Sequence, residues 1–415
     1  MVRSHFEERE QVPFISGTTP IQLSAPSFGA DEVCEALDSL LSTHVTMGSK
    51  VRRFEDAFAK YIGADYAVMV NSGSSANLVA LSVLASPEVT DRLEPGAEII
   101  TPAVTWATTV YPIINLGFLP VLVDVDPHTF NMDPDEVRKA ITPQTRAIML
   151  VHLLGNPCDM DAICSIAKEH DLIVIEDSCE AHGAEWHGKK VGSFGDLATF
   201  SFFYSHHIST IEGGMVLTSR EEYAELARAI RAFGWIRDLR DRGSIAAQYP
   251  EIDAKYLFRG MGYNLRPTEI QGAFGIHQID KLDRFIESRQ VNSDYWAKRL
   301  RPHSRFISVH SEQPDTRHVW FGYQLTVDPD APFTRGELTD FLQSKNVETR
   351  PVMSGNMAEQ PVMEAYAHRV QGDLPTSRVI MRNSFYFGNH HEVGPEQRAA
   401  IGDYLDEFFA RYASP

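Results

Sequence analysis

Between about Val33 and Thr218, strand-sized apolar runs alternate with amphipathic helical stretches, a pattern that points to a mainly parallel sheet covered by helices. The candidate strands are Tyr66 to Val70, Glu98 to Ile100, Leu119 to Val125, Ala147 to Leu153, Leu172 to Glu176, Leu197 to Ser201 and Gly214 to Thr218. Helical patterns at Ser75 to Leu84, Pro134 to Ala140 and Asp161 to His170 separate them. In such sheets ligands sit beyond the carboxyl ends of the strands, so residues just after a strand are the first candidates for chemistry. A second region follows the Gly262 to Arg266 segment, where a long helical pattern through Gln278, Leu282 and Phe285 leads to Val319 to Val327. The expectation is a large domain over residues 1–275 and a smaller C-terminal α/β domain over 276–415.

With 415 residues, 43% of them hydrophobic, the chain buries a core larger than one average domain. Its formal charge of −18 argues against nucleic acid or a membrane surface as partner, since both demand a basic face. No apolar run approaches the roughly 20 residues of a membrane helix, and Met1 to Gln11 is too charged for a signal peptide, so a cytoplasmic protein is expected. The cysteines Cys34, Cys158, Cys164 and Cys179 show neither CxxC spacing nor disulfide density, and read as buried thiols.

Three strand ends stand out. Asn71 to Asn77 places a glycine and small hydroxyls between an apolar strand and a helix, where backbone N–H groups and the helix dipole favour a phosphate. On its own the segment reads more readily as an N-capped turn. Glu176 and Asp177 close another strand, where a carboxylate could bond a protonated pyridine nitrogen, although an acid at a strand end is by itself more often a solvated residue or a helix cap. Glu180 has the spacing of a capping partner.

Ser201 to His207, with Glu212 to Gly214 beyond, is the most informative stretch. Its adjacent histidines fit metal ligation poorly, because neighbouring side chains diverge and no HExxH or CxxC accompanies them; no metal is expected. A catalytic base and a structural pair both remain open. Gly183 to Lys189 imitates a P-loop, but Lys190 stands where Ser or Thr must hold magnesium.

Together these segments resemble the sugar-nucleotide aminotransferase family of fold-type I, aspartate aminotransferase-like enzymes that use pyridoxal phosphate (PLP). The resemblance runs from Pro13 to the C-terminus, through Thr46-Met47-Gly48 with Phe54-Glu55, Asn71 to Leu78, Glu176-Asp177 with His182-Gly183, Ser201 to Gly214 and Gly262 to Pro267. It implies that Gly73, Ser74 and Ser201 hold the cofactor phosphate, joined by Asn264 from the partner subunit of a homodimer. Asp177 would meet the pyridine nitrogen, Trp106 would stack on the ring, and Glu180 would lie near the ring hydroxyl. Met47, Ser205, Arg237, Arg266 and Arg350 become candidates for the substrate, the arginines offering charge to phosphates or a carboxylate.

One departure redirects the chemistry. Where these aminotransferases carry a lysine, this chain has His206, and an imidazole cannot form the covalent C=N link that holds PLP. That loss resembles the 3-dehydratase branch, and Ser201 to Gly214, Gly234 to Arg237, Arg350-Pro351 and Gly388 to His390 look like its colitose-type members. The resemblance implies non-covalent PLP/PMP, L-glutamate as amino donor, and a GDP-linked 4-keto-6-deoxymannose that loses its C3 hydroxyl with release of ammonia. His206, with an ordinary pKa near roughly 6.5, would move the proton. The alternatives are a 4-aminotransferase and an inactive PLP-binding protein. A related iron–sulfur branch uses cysteines after the histidine motif; none follows Cys179, so no reductase partner is expected.

Overall fold

The computed structural model describes residues 1–8 and 13–412, so residues 9–11 of the charged N-terminal stretch lie outside the described residues. All seven expected strands form, and they share one sheet in the order 66–70, 214–218, 197–201, 173–177, 145–151, 98–102 and 119–123. Only 214–218 runs against the others. Strand interiors such as Ile99, Ile100, Val121 and Ile148 are fully buried, because helices cover both faces and leave no solvent side to alternate with.

Local chemistry places the helices. Gly73–Leu84 begins at Ser72, whose Oγ accepts the Ser75 N–H at 3.1 Å. Asp133 and Asp159 cap Pro134–Ala140 and Met160–His170 in the same way. The apolar run after Ala147 departs from expectation: the strand stops at Val151 and the backbone turns through Leu154 at a φ of 52°. A left-handed leucine is costly, and here it brings the Leu154 N–H onto Glu180.

Glu269–Gln278 and Leu282–Leu300 lead into an antiparallel sheet ordered 307–308, 322–327, 384–388 and 349–351. Trp296, Tyr323, Leu325, Phe387 and Phe408 fill its core. The chain crosses between the two sheets, since Ile21 bridges to Val347 and Arg369–Val370 adds a parallel strand beside 119–123. Among the described residues no helix is long and apolar enough to cross a membrane.

Candidate active site

The carboxyl ends of strands 66–70, 98–102, 145–151, 173–177 and 197–201 surround an open cleft of about 310 Å³. Gly73, Ser74, Trp106, Asp177, Glu180, Ser201, Ser205, His206 and Arg350 all line it.

One end is an anion cradle. Ser72 satisfies the Ser75 and Ala76 N–H groups, while those of Gly73 and Ser74 have no acceptor among the described residues. The backbone also lies too close to its neighbours for any side chain: a Cβ on Gly73 would stand 2.5 Å from Ser201 Cβ and 3.1 Å from Cys179 Sγ. The Trp106 ring, 58% exposed, offers a flat apolar face on the same cleft.

Asp177 is held by side chains that the sequence reading did not single out. Its Oδ2 accepts from Asn77 Nδ2 at 2.9 Å and Thr109 Oγ1 at 2.8 Å, while Oδ1 accepts the Cys179 N–H at 3.2 Å. Thr199 Oγ1 donates to Asn77 Oδ1 at 2.6 Å, which fixes the amide so that its NH₂ faces Asp177. Thr105 donates to Thr109 at 2.9 Å, committing the Thr109 proton to the carboxylate. Asp177 therefore stays oriented, with its carboxylate lining the cleft.

The neighbouring Glu176 does a different job. Its carboxylate is buried and accepts from the N–H groups of Gly192, Phe194 and Gly195 and pairs with His152 at 3.1 Å. Burial alone would raise it, but His152 and the Gly195 and Gly192 N–H groups hold it below the usual carboxylate range. It anchors the loop before strand 197–201.

Glu180 accepts the Leu154 N–H at 2.8 Å. Burial, opposed by that N–H and reinforced by Asp177, pushes it up to about 8, so it is mainly a neutral acid at pH 7. His206 is half-buried, with ring Nδ1 enclosed and without a partner. Burial and then the Arg289 guanidinium push its imidazole down to about 3, leaving a neutral base at physiological pH. Phe321, 5.3 Å away between ring centroids, and His182 at 6.0 Å wall it in. The residues present fit a flat phosphorylated cofactor with a cationic ring nitrogen: donors at one end, an aromatic face, and an oriented carboxylate.

Four expected residues do not line the cleft in this chain. Met47 packs against the core around Phe54 and Phe202. Arg237 is exposed, and Arg266 lies over the Phe233 ring at 4.9 Å. Asn264, also exposed, accepts from Arg266 Nε at 3.0 Å. The segment imitating a P-loop is a short hairpin, Glu185–Trp186 against Lys189–Lys190, with no helix to receive a phosphate.

The profile of the DegT/DnrJ/EryC1/StrS aminotransferase family matches residues 26–406. The chain is 37% identical to the dTDP-4-dehydro-2,6-dideoxy-D-glucose 3-dehydratase of Saccharopolyspora spinosa, over 99% of this chain and 91% of that one. It is 38% identical to the GDP-4-keto-6-deoxy-D-mannose 3-dehydratase of Escherichia coli O55:H7, over 86% of this chain and 92% of the relative. A crystal structure of GDP-4-keto-6-deoxymannose-3-dehydratase with a trapped PLP-glutamate geminal diamine superposes with a TM-score of 0.87 at 36% identity, covering 93% of this chain and all of that one. With its fold, its cleft and these likenesses in agreement, the chain belongs to the DegT/DnrJ/EryC1/StrS aminotransferase family.

Proposed function

We propose that this protein is a PLP/PMP-dependent sugar-nucleotide 3-dehydratase, which removes the C3 hydroxyl of a nucleotide-linked 4-keto-6-deoxyhexose and uses L-glutamate as amino donor. One observation carries the reading: among the described residues no lysine lines the cleft, and the half-buried His206 imidazole stands in it. A transaminase needs an amine there to exchange its product, whereas an elimination needs a proton carrier.

When bound, the cofactor would supply an electron sink and an amine for the sugar's C4 carbonyl. The chain does the rest. The Gly73 and Ser74 N–H groups and Ser201 Oγ hold the phosphate, and Trp106 covers one ring face. Asp177 keeps the ring nitrogen protonated, and Glu180, as a neutral acid, serves the ring oxygen. His206 would carry the proton at the cofactor's C4′ carbon and assist departure of the C3 hydroxyl. Ser205 and Arg350 face the substrate. Asn264 reaches the phosphate of the other subunit in a homodimer, and Met47, Arg237 and Arg266 are assigned to the substrate. The large unit takes residues 1–275 and the small one 276–415, in a cytoplasmic enzyme that works without an iron–sulfur reductase.

The relatives named for GDP-4-keto-6-deoxy-D-mannose favour that sugar nucleotide as the substrate here. The test supplies L-glutamate with GDP- or dTDP-linked 4-keto-6-deoxy sugars and follows products. Ammonia, 2-oxoglutarate and a 3-deoxy-4-keto sugar are expected, with the GDP sugar turned over faster; a stable 4-amino sugar would refute the assignment.

A further inference from the structure

Arg289 lies outside the cleft but beside its base. It belongs to the Leu282–Leu300 helix and is 4% exposed, yet no carboxylate among the described residues lies within ion-pair distance. Arg231, equally buried, shows the ordinary arrangement, pairing with Glu55 at 2.6 Å. Leaving a guanidinium without a counter-charge is expensive, so an uncompensated one calls for a reason.

Its partners are carbonyls on the segment that backs His206. Arg289 Nη1 donates to Trp320 O at 3.2 Å, to Phe321 O at 2.8 Å and to Asn389 O. Asn389 Nδ2 donates in return to Arg289 O at 3.1 Å and to Ser293 Oγ at 2.9 Å, while Arg289 Nε finds no partner. The Phe321 N–H is anchored to Leu154 O at 2.9 Å, and its ring packs on both His206 and His207.

We propose that Arg289 is a positioning residue for His206, pinning the Trp320–Phe321 backbone against the imidazole and setting a buried positive charge without a counter-ion behind it. The proposal rests on His206 being the proton carrier. Burial lowers Arg289 only to about 9, so it remains a cation at neutral pH.

The surrounding groups agree in sign. His182, His207, His390 and His391 are all pushed down by burial with Arg289 among the causes, and no acid is buried among them to offset the charge. His207 is held through Nε2 to Val319 O at 3.0 Å, and His390 to Gln22 O at 3.0 Å. Across the cleft His206 faces Asp177, Glu180, Glu212 and Arg350, but besides burial only Arg289 acts on it appreciably. An imidazolium at 206 would have a fixed cation behind it and no close anion to offset it.

The test is a histidine-ring NMR titration of the full chain loaded with PLP, with His206→Asn identifying the His206 signal. In the unmutated protein that signal stays neutral at pH 5. Arg289→Met should raise its midpoint by about one pH unit or more, a tenfold change in proton affinity, and Arg289→Lys should leave it in place. The acid limb of kcat should move with it, which a merely structural residue would not cause. An unmoved midpoint in Arg289→Met, or an equal shift in Arg289→Lys, overturns the proposal. Should Arg289→Met fail to fold, Arg289→Gln, which keeps donors for the carbonyls but no charge, takes its place: an unmoved His206 midpoint there overturns the proposal. Turnover by His206→Asn would instead defeat the base assignment, leaving the titration result on Arg289 intact.

Discussion

Glu180 makes the electrostatics of the cleft measurable without any substrate. An acid moved from its ordinary 4.5 to about 8 prefers its protonated form in the fold. Between those values the unfolded chain has released the proton and the folded chain retains it, so stability falls as pH rises. At 1.36 kcal/mol per pH unit the ceiling is about 5 kcal/mol, and relaxation around the ionised group makes about 2–3 kcal/mol the expected loss. Glu180→Gln keeps the shape and an oxygen for the Leu154 N–H but cannot ionise. Urea unfolding of cofactor-free protein at pH 5, 6.5 and 8 should therefore show the variant gaining on the unmutated protein, with little difference at pH 5 and the full difference at pH 8. All other titrations cancel in the comparison. Parallel stability curves would refute the neutral-acid state of Glu180.

Two other substitutions probe the cofactor site. Thr109→Val removes one of two donors to Asp177 Oδ2, a hydrogen bond to a charged group worth about 1.5–3 kcal/mol; PLP retention measured by equilibrium dialysis should fall about 10- to 100-fold, and Thr109→Ser should restore it. Gly73→Ala places a Cβ 2.5 Å from Ser201 Cβ, an overpacking cost of about 1–3 kcal/mol at the cradle; PLP affinity should drop about tenfold or more in a titration of cofactor absorbance.

Local signals made much of this architecture legible. The strands could be read because both-face burial writes continuous apolar runs, and the cradle because Ser72 caps a helix directly after one of them. The Ala107–Asn115 helix was not anticipated: Thr108, Thr109, Val110 and Ile113 favour strands, Pro112 lies inside it, and tertiary packing overrides both. The turn at Leu154 was hidden in an apolar run, since nothing local announces a left-handed leucine. Asn77 and Thr109 escaped notice because each is bland alone and acquires meaning only where the 66–70, 98–102 and 173–177 strand ends converge. A polar Asn77 inside the apolar helix Gly73–Leu84 was the available signal, as a buried amide must find partners. Arg289 left a similar trace, sharing one helical face with Phe285, Asn292 and Trp296, all buried. Asn264, Met47, Arg237 and Arg266 could be proposed only from resemblance.

The central claim is that an imidazole, and no amine, attends the cofactor. Incubating the protein with PLP, reducing with borohydride and mapping by mass spectrometry tests it most directly. The account predicts no stoichiometric phosphopyridoxyl group on any lysine of the unmutated protein, and one on residue 206 in His206→Lys. A stoichiometric adduct on a native lysine would contradict it.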